Sequence, residues 1–133
     1  MTEPCVFCGI ANNDSPVSSV YEDDCVMAFL DNRPVSDGHT LVIPKRHFET
    51  IYDIPDEEIV HLFKIVKKVA VAVKETVNPE GLTVIQRNGK AAGQHIMHLH
   101  IHVIPRHCGR YLRLLWVESP RCSRKRYGVN DVF

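Results

Sequence analysis

Three histidines stand at every second position of one short segment. Residues 93 to 104 read Gly-Gln-His-Ile-Met-His-Leu-His-Ile-His-Val-Ile, followed by Pro105 and Arg106. A β-strand sends alternate side chains to opposite faces, so His98, His100 and His102 would share one face while Leu99, Ile101 and Val103 share the other. A half-buried strand whose polar face happens to be rich in histidine is the bland alternative, and one histidine would fit it. Three in register, with an apolar residue in every gap, do not. Imidazole has an ordinary pKa of about 6.5, so near neutral pH much of it is uncharged and nucleophilic, while a protonated neighbour can hold a phosphate oxygen. Histidine also forms covalent intermediates, which divides a displacement at phosphorus into two steps. The middle residue has a histidine on either side at roughly 7 Å. The expected roles are His100 as nucleophile, His102 as phosphate-binding acid and His98 as an orienting or metal-linked member. Spacing alone supports a cluster and does not choose between catalysis and metal binding.

Cys5-Val6-Phe7-Cys8 is a C-x2-C that can place two thiolates on a tetrahedral Zn²⁺. No second cysteine pair completes it, so histidine must supply the other ligands, and His47 and His98 are the candidates. The competing reading is a pair of small apolar residues at the start of a helix. A redox role fits less well, because the pair precedes any strand. Asp31 sits at a strand end, where a carboxylate can accept two hydroxyl hydrogens or cap a turn. Arg87 to Gly93 is a basic, glycine-bearing loop suited to an anion, since exposed backbone N–H groups and lysine can point at phosphate oxygens.

The elements that must position these groups are legible around them. The chain has 133 residues, enough for one domain with a modest core. Ser18 to Glu22 and Val26 to Leu30 read as a hairpin, and Thr40 to Pro44 as a short buried strand after the Asp37-Gly38 turn. Residues 56 to 76 carry one long helix, with Ile59, Leu62, Phe63, Val66, Val69, Ala70 and Val73 at helical spacing. Pro55 and Asp56 mark its start and Asn78 to Gly81 its stop; His61 is expected at the surface without chemistry. Leu82 to Gln86 is a fourth strand, before the histidine strand. Strands that do not alternate with helices give an α+β domain with an antiparallel sheet, the helix on its apolar face and the histidines on the other.

Formal net charge is zero, but twelve of the sixteen acidic side chains lie in residues 1 to 60, and Arg106 to Arg126 hold seven Arg or Lys against one Glu. The basic tail reads first as a solvated surface and second as one that meets an anion. Cys5, Cys8, Cys25, Cys108 and Cys122 make an odd count, favouring a reducing compartment. The N-terminus has no signal-peptide pattern and no apolar run reaches membrane-spanning length, so a cytoplasmic protein without membrane contact is expected.

Gly93-Gln94-x3-His98-x-His100-x-His102-x-Ile104-Pro105-Arg106 resembles the defining motif of the histidine triad family of nucleotide hydrolases and transferases. Cys5-x2-Cys8, Tyr21-Glu22-Asp23, Ala28 to Asp31, Gly38 to Lys45 with His47, and Asn88-Gly89 resemble the family in the same order. The resemblance implies a five-stranded antiparallel sheet with one long and one short helix, paired with a second copy in a homodimer. It implies a catalytic domain over residues 1–107, with 108–133 as a basic extension. A purine nucleotide would place its ribose hydroxyls on Asp31, His100 would attack the α-phosphorus to give a nucleotidyl-histidine, and Gln94 and His102 would hold phosphate oxygens. Arg87, Asn88, Gly93 and His95 complete the implied substrate-binding set. The family's zinc-binding subset implies a structural zinc on Cys5, Cys8, His47 and His98, and no organic cofactor.

Two departures from the pattern concern charge. His95 stands where the family usually has Ser or Thr, and Arg87 where it usually has Asn or Gln. Both replace a small neutral donor with a group able to carry positive charge, which suggests a more anionic substrate than a nucleoside phosphoramidate; in the competing reading Asn88 takes the usual role and His95 meets solvent. A sensor that binds nucleotide without turnover would use the same pocket. A nucleic-acid end-processing protein would suit the basic tail but lacks an aromatic-interleaved basic platform. His102 argues against the uridylyltransferase branch, which usually has glutamine there. Whether Trp116 reaches a partner's site is a further question the tail raises.

Overall fold

The computed structural model describes residues 5–107, so the basic tail, with Cys108, Trp116 and Cys122, lies outside the described residues. Along the chain come α1 (Val6–Ala11), β1 (Ser19–Glu22), β2 (Val26–Leu30), β3 (Thr40–Pro44), α2 (Asp56–Val77), β4 (Gly81–Gln86) and β5 (Ile101–Arg106), with a 3₁₀ turn at Lys90–Ala92 before β5. The strands form one antiparallel five-stranded sheet in the order β1-β2-β3-β5-β4. The expected α+β architecture, with one long and one short helix, is the one observed.

Helix α2 forms where apolar residues recur on one face, and its ends are set by local chemistry. Asp56, Glu57 and Glu58 occupy the first turn, where acidic groups complement the helix dipole. Asn78 adopts φ 51° and ψ 55° and returns its N–H to the Lys74 carbonyl, ending the helix. Leu62, Ile65, Val66, Val69 and Val73 are buried against Val26, Ala28, Val42, Ile101 and Val103 of the sheet and Leu99 just before β5. Ile65 belongs to this face and Phe63, expected there, does not, being 41% exposed. A helix turns about 100° per residue, which carries Phe63 off the stripe that Leu62, Val66 and Val69 define.

The other sheet face has its own smaller core. Phe7, Ile10 and Ala11 of α1 pack on Met27, Phe29, Leu41 and Ile43, with Phe7 edge-on to Phe29 at 5.7 Å. Both faces are therefore covered near β2 and β3, and α1 lies on the histidine side.

Strand β5 starts later than its alternating pattern predicts. Ile101 is its first residue, so of the three histidines only His102 lies within it. The β3–β5 ladder runs from Thr40↔Val103 to Val42↔Ile101. Beyond it Pro44 has no N–H to donate, and its carbonyl accepts instead from the His98 ring at 2.8 Å. The Leu99 N–H turns to the Phe48 carbonyl at 2.6 Å. Side-chain alternation nevertheless holds: Leu99, Ile101 and Val103 are fully buried toward α2.

Candidate active site and metal centre

The hydrogen bonds of the histidines fix which nitrogen carries each proton. The His100 Nδ1–H donates to the His98 carbonyl at 2.7 Å, which leaves the lone pair on Nε2. His100 is half-buried, with the Phe7 ring edge-on at 5.1 Å and the His102 ring at 5.1 Å. His102 is held from behind by a residue to which the sequence reading gave no individual role. The Val35 N–H donates to His39 Nδ1 at 3.0 Å, so the His39 proton sits on Nε2 and is donated to His102 Nδ1 at 2.9 Å. The remaining His102 proton is then on Nε2. Asp31 Oδ2 lies 3.5 Å from His39 Nε2. Asp31, His39 and His102 are close enough to share a cation. A metal on His39 Nε2 would move the ring proton to Nδ1, against the Val35 N–H, so the hydrogen-bonded chain is the better account. His39 follows Gly38, and the β3–β5 pairing carries it to the triad; its sequence signals were period 2 with Leu41 and Ile43 and its place in the Gly38 to Lys45 segment of the family pattern.

Burial lowers the His39 pKa, with Arg106 acting the same way and Asp31 opposing. Burial, followed by His100, His39 and Arg87, brings His102 down to about 3. Burial also lowers His100, against the His98 carbonyl. A histidine whose pKa is lower in the folded state withholds a proton that the unfolded chain accepts, so stability rises with pH between the two values. For His102 that window runs from about 3 up to the ordinary 6.5. Acidification from neutrality should therefore lower the unfolding free energy, by at most about 1.4 kcal/mol per pH unit for each withheld proton. In a denaturation series over pH, His102→Gln should flatten the slope; parallel losses in wild type and variant would contradict the assignment.

A second cluster adjoins the triad. Cys5 is the N-cap of α1 and Cys8 lies in its first turn, three positions on, so both sulfurs share one side of the helix start. His98 Nδ1 is 3.4 Å from Cys5 Sγ and 3.5 Å from Cys8 Sγ, and His47 Nδ1 is 3.3 Å from Cys8 Sγ. Tetrahedral Zn²⁺ with bonds of about 2.0–2.3 Å separates its ligands by roughly 3.3–3.8 Å, so the four atoms stand at suitable distances. His98 donates its Nε2–H to Pro44, leaving Nδ1 free to ligate and fixing the ring orientation. Burial, then the hydrogen bond and charge of Cys5, push the Cys8 thiol up to about 11. Two adjacent sulfurs that resist sharing negative charge are a donor set that a divalent cation relieves. These residues fit a structural metal.

A family description of the HIT domain matches residues 12–109. The chain belongs to the HIT family. Its relatives include the protein hit of Bacillus subtilis, 47% identical over 105 residues that make up 79% of this chain and 72% of that one. An Arabidopsis thaliana relative named adenylylsulfatase HINT3 is 39% identical across 77% of this chain and 52% of its own. A zinc-bound histidine triad family protein from Mycobacterium smegmatis has a similar structure, with TM-score 0.76 and 37% identity over 93% of this chain and 87% of that one.

The other residues of the HIT motif fall into two groups. Gln94 is buried, and its amide is committed to backbone: Oε1 accepts from the Gly89 N–H at 2.7 Å, and Nε2 donates to the Glu49 and Ile96 carbonyls at 2.6 and 3.0 Å. Asn88 exchanges amide hydrogen bonds with Gln86 and accepts from the Ile51 N–H at 2.7 Å. As they stand, both residues brace the loop that carries the site. Gly93 adopts φ +89°, and a Cβ there would meet Arg87 Nη1 at 2.8 Å. Asp31, half-buried, caps the turn through the Arg33 N–H at 2.9 Å while its other oxygen approaches His39. Arg87 and His95 stay near the triad, His95 exposed. His61 lies apart from the site and bonds Asp23 Oδ2 at 2.7 Å. Burial pushes the Asp23 carboxyl up, but bonds from the Cys25 N–H, His61, Tyr21 and the Val26 N–H hold it at about 2. His61 thus ties α2 to the β1–β2 hairpin.

Proposed function

We propose that this HIT protein is a nucleotide hydrolase or nucleotidyl transferase acting at the α-phosphorus of a purine nucleotide conjugate. One observation carries the reading: the His98 carbonyl holds the His100 proton on Nδ1, which presents an unprotonated Nε2 on the half-buried face of the sheet. In the first step a bond forms between His100 Nε2 and phosphorus as the bond to the leaving group breaks, the electron pair departing with that group. In this reading the His102 Nε2–H donates to a phosphoryl oxygen or to the leaving atom, which the hydrogen bond from His39 to the other nitrogen of that ring supports. In the second step water attacks phosphorus, the P–N bond breaks with its pair returning to Nε2, the water's extra proton passes to solvent, and a nucleoside monophosphate leaves. Asp31 accepts the ribose hydroxyls in this reading.

The adenylylsulfatase relative, by its name, supports cleavage of an adenylyl conjugate. Cys5, Cys8, His47 and His98 would hold zinc, whose charge, when bound, neutralises the thiolates; four protein ligands leave no position for water. The zinc-bound relative and the donor set support this. A homodimer is supported by β4, an edge strand of the sheet that leaves Val84 43% exposed. No described helix is long and apolar enough to cross a membrane, and the odd count of five cysteines in the sequence favours a reducing, cytoplasmic setting.

The test is rapid quenching of the protein with AMP-amidates, GMP-amidates and dinucleoside polyphosphates. A nucleotidyl mass increment on the peptide carrying His100, formed and discharged at the rate of turnover, is expected. Binding without any increment or product would establish a nucleotide sensor instead.

A further inference from the structure

The two thiols beside the triad are placed to join each other as well as to share a metal. Cys5 and Cys8 are free, and their sulfurs lie within 4.8 Å of one another and of the ligating nitrogens of His47 and His98. Cys5 is the N-cap of α1 and Cys8 stands three positions on. Helix geometry separates such Cα atoms by about 5 Å, inside the roughly 4.4–6.8 Å that a disulfide spans, so side-chain rotation can close the bond. The four ligands are unequally held. His98 is fully buried and donates to the Pro44 carbonyl at 2.8 Å, whereas His47 is exposed and, among the described residues, has no hydrogen bond besides that to Cys8. Cys5 Sγ accepts the Cys8 N–H at 3.4 Å, while Cys8 Sγ receives no backbone N–H among the described residues and meets His47 at the surface. An N–H bond tempers a ligating group, so Cys8 is the sulfur more open to an oxidant.

We propose that Cys5 and Cys8 form a redox switch on the metal centre: a peroxide converts the two zinc-bound thiolates to a disulfide, and zinc leaves past His47. This rests on reading Cys5, Cys8, His47 and His98 as zinc ligands. Cys8 sulfur attacks one peroxide oxygen, an S–O bond forms as the O–O bond breaks, and hydroxide departs. Cys5 sulfur then attacks Cys8 sulfur, the S–S bond forms as the S–O bond breaks, and a second hydroxide departs. Two electrons have passed from sulfur to peroxide, and two protons from solvent make two waters. The disulfide carries no thiolate charge, so only two imidazoles remain to the metal. A thiolate beside a resolving cysteine is the arrangement of a redox sensor, and disulfides of reducing compartments are usually transient ones. The change is felt near the nucleophile, because Phe7 stands between the two cysteines in sequence and its ring meets those of His98 at 5.9 Å and His100 at 5.1 Å.

The test titrates the purified, zinc-loaded chain with hydrogen peroxide and follows zinc with a chromogenic chelator, thiols by alkylation and the Cys5–Cys8 peptide by mass. One zinc should appear for each pair of thiols lost, with that peptide lighter by two hydrogens. The melting midpoint should fall by roughly 10–15 °C, since a disulfide closing so short a loop restores little. A thiol reductant with added zinc should reverse all three changes. The variant Cys25→Ser/Cys108→Ser/Cys122→Ser, which keeps only the pair, should behave as wild type. Zinc retained while Cys25 is oxidised, a disulfide formed with zinc still bound, or sulfinic acid in place of the disulfide overturns the switch and leaves the zinc reading intact. A purified chain without zinc overturns both.

Discussion

His100→Ala should lower kcat/KM for a nucleotide conjugate by about 10⁴-fold or more and eliminate the nucleotidyl-histidine species. The size follows from what the residue supplies. Alanine removes the nucleophile itself, and no neighbour can replace it. His98 directs its Nδ1 at Cys5 and Cys8, and His102 has its Nδ1 occupied by His39. His39→Ala provides the contrast. It leaves Nε2 of His100 in place and removes only the partner that orients His102, so a loss of about 10²-fold is expected, chiefly in kcat. The fold should survive His100→Ala, since the apolar contact it loses is one edge of the Phe7 ring. Quenched-flow kinetics on the two variants decides the matter: His100→Ala retaining more than about one hundredth of wild-type turnover would show that another group attacks phosphorus.

Stripping the metal centre should cost stability more than chemistry. Binding that favours the folded state by a concentration of about a thousand times Kd is worth about 4 kcal/mol. For a domain of this size that corresponds to a fall of roughly 10–15 °C in melting midpoint. Chelation of wild type and Cys8→Ser should give the same lowered midpoint, and purified wild type should hold one zinc per chain. The Cys8 thiol, pushed up to about 11, must lose its proton to ligate, so affinity should fall as pH falls. The affected structure is α1, whose Phe7 packs on Phe29, His98 and His100. Turnover should therefore decline only as the support beneath His100 loosens. A melting midpoint indifferent to chelator would remove the structural zinc from the account.

Local signals read well where packing agreed with them. Strands β2 and β3 begin and end where apolar runs meet turn residues, and the end of α2 near Asn78 follows from its left-handed backbone. Phe63 and Ile65 exchanged places because both flank a broad helical stripe, Ile65 about 60° and Phe63 about 100° around the helix from Leu62, and the flank nearer the stripe is the one buried. The strand at the triad began late because a side chain, His98, took the Pro44 carbonyl. Gln94 and Asn88 matched a family pattern by position, yet their present partners depend on where residues 49–51 pass, far away in sequence.

By itself the sequence determined the α+β class, the alternation that separates Leu99, Ile101 and Val103 from the histidines, and the Cys5-x2-Cys8 half of the metal-binding set. Those follow from short-range periodicity and donor type, which are properties of neighbours along the chain. Tertiary structure decided the proton positions. His39 reaches His102 across 63 residues and His98 reaches Pro44 across 54, and a hydrogen bond between such partners exists only once the sheet has closed and water has left.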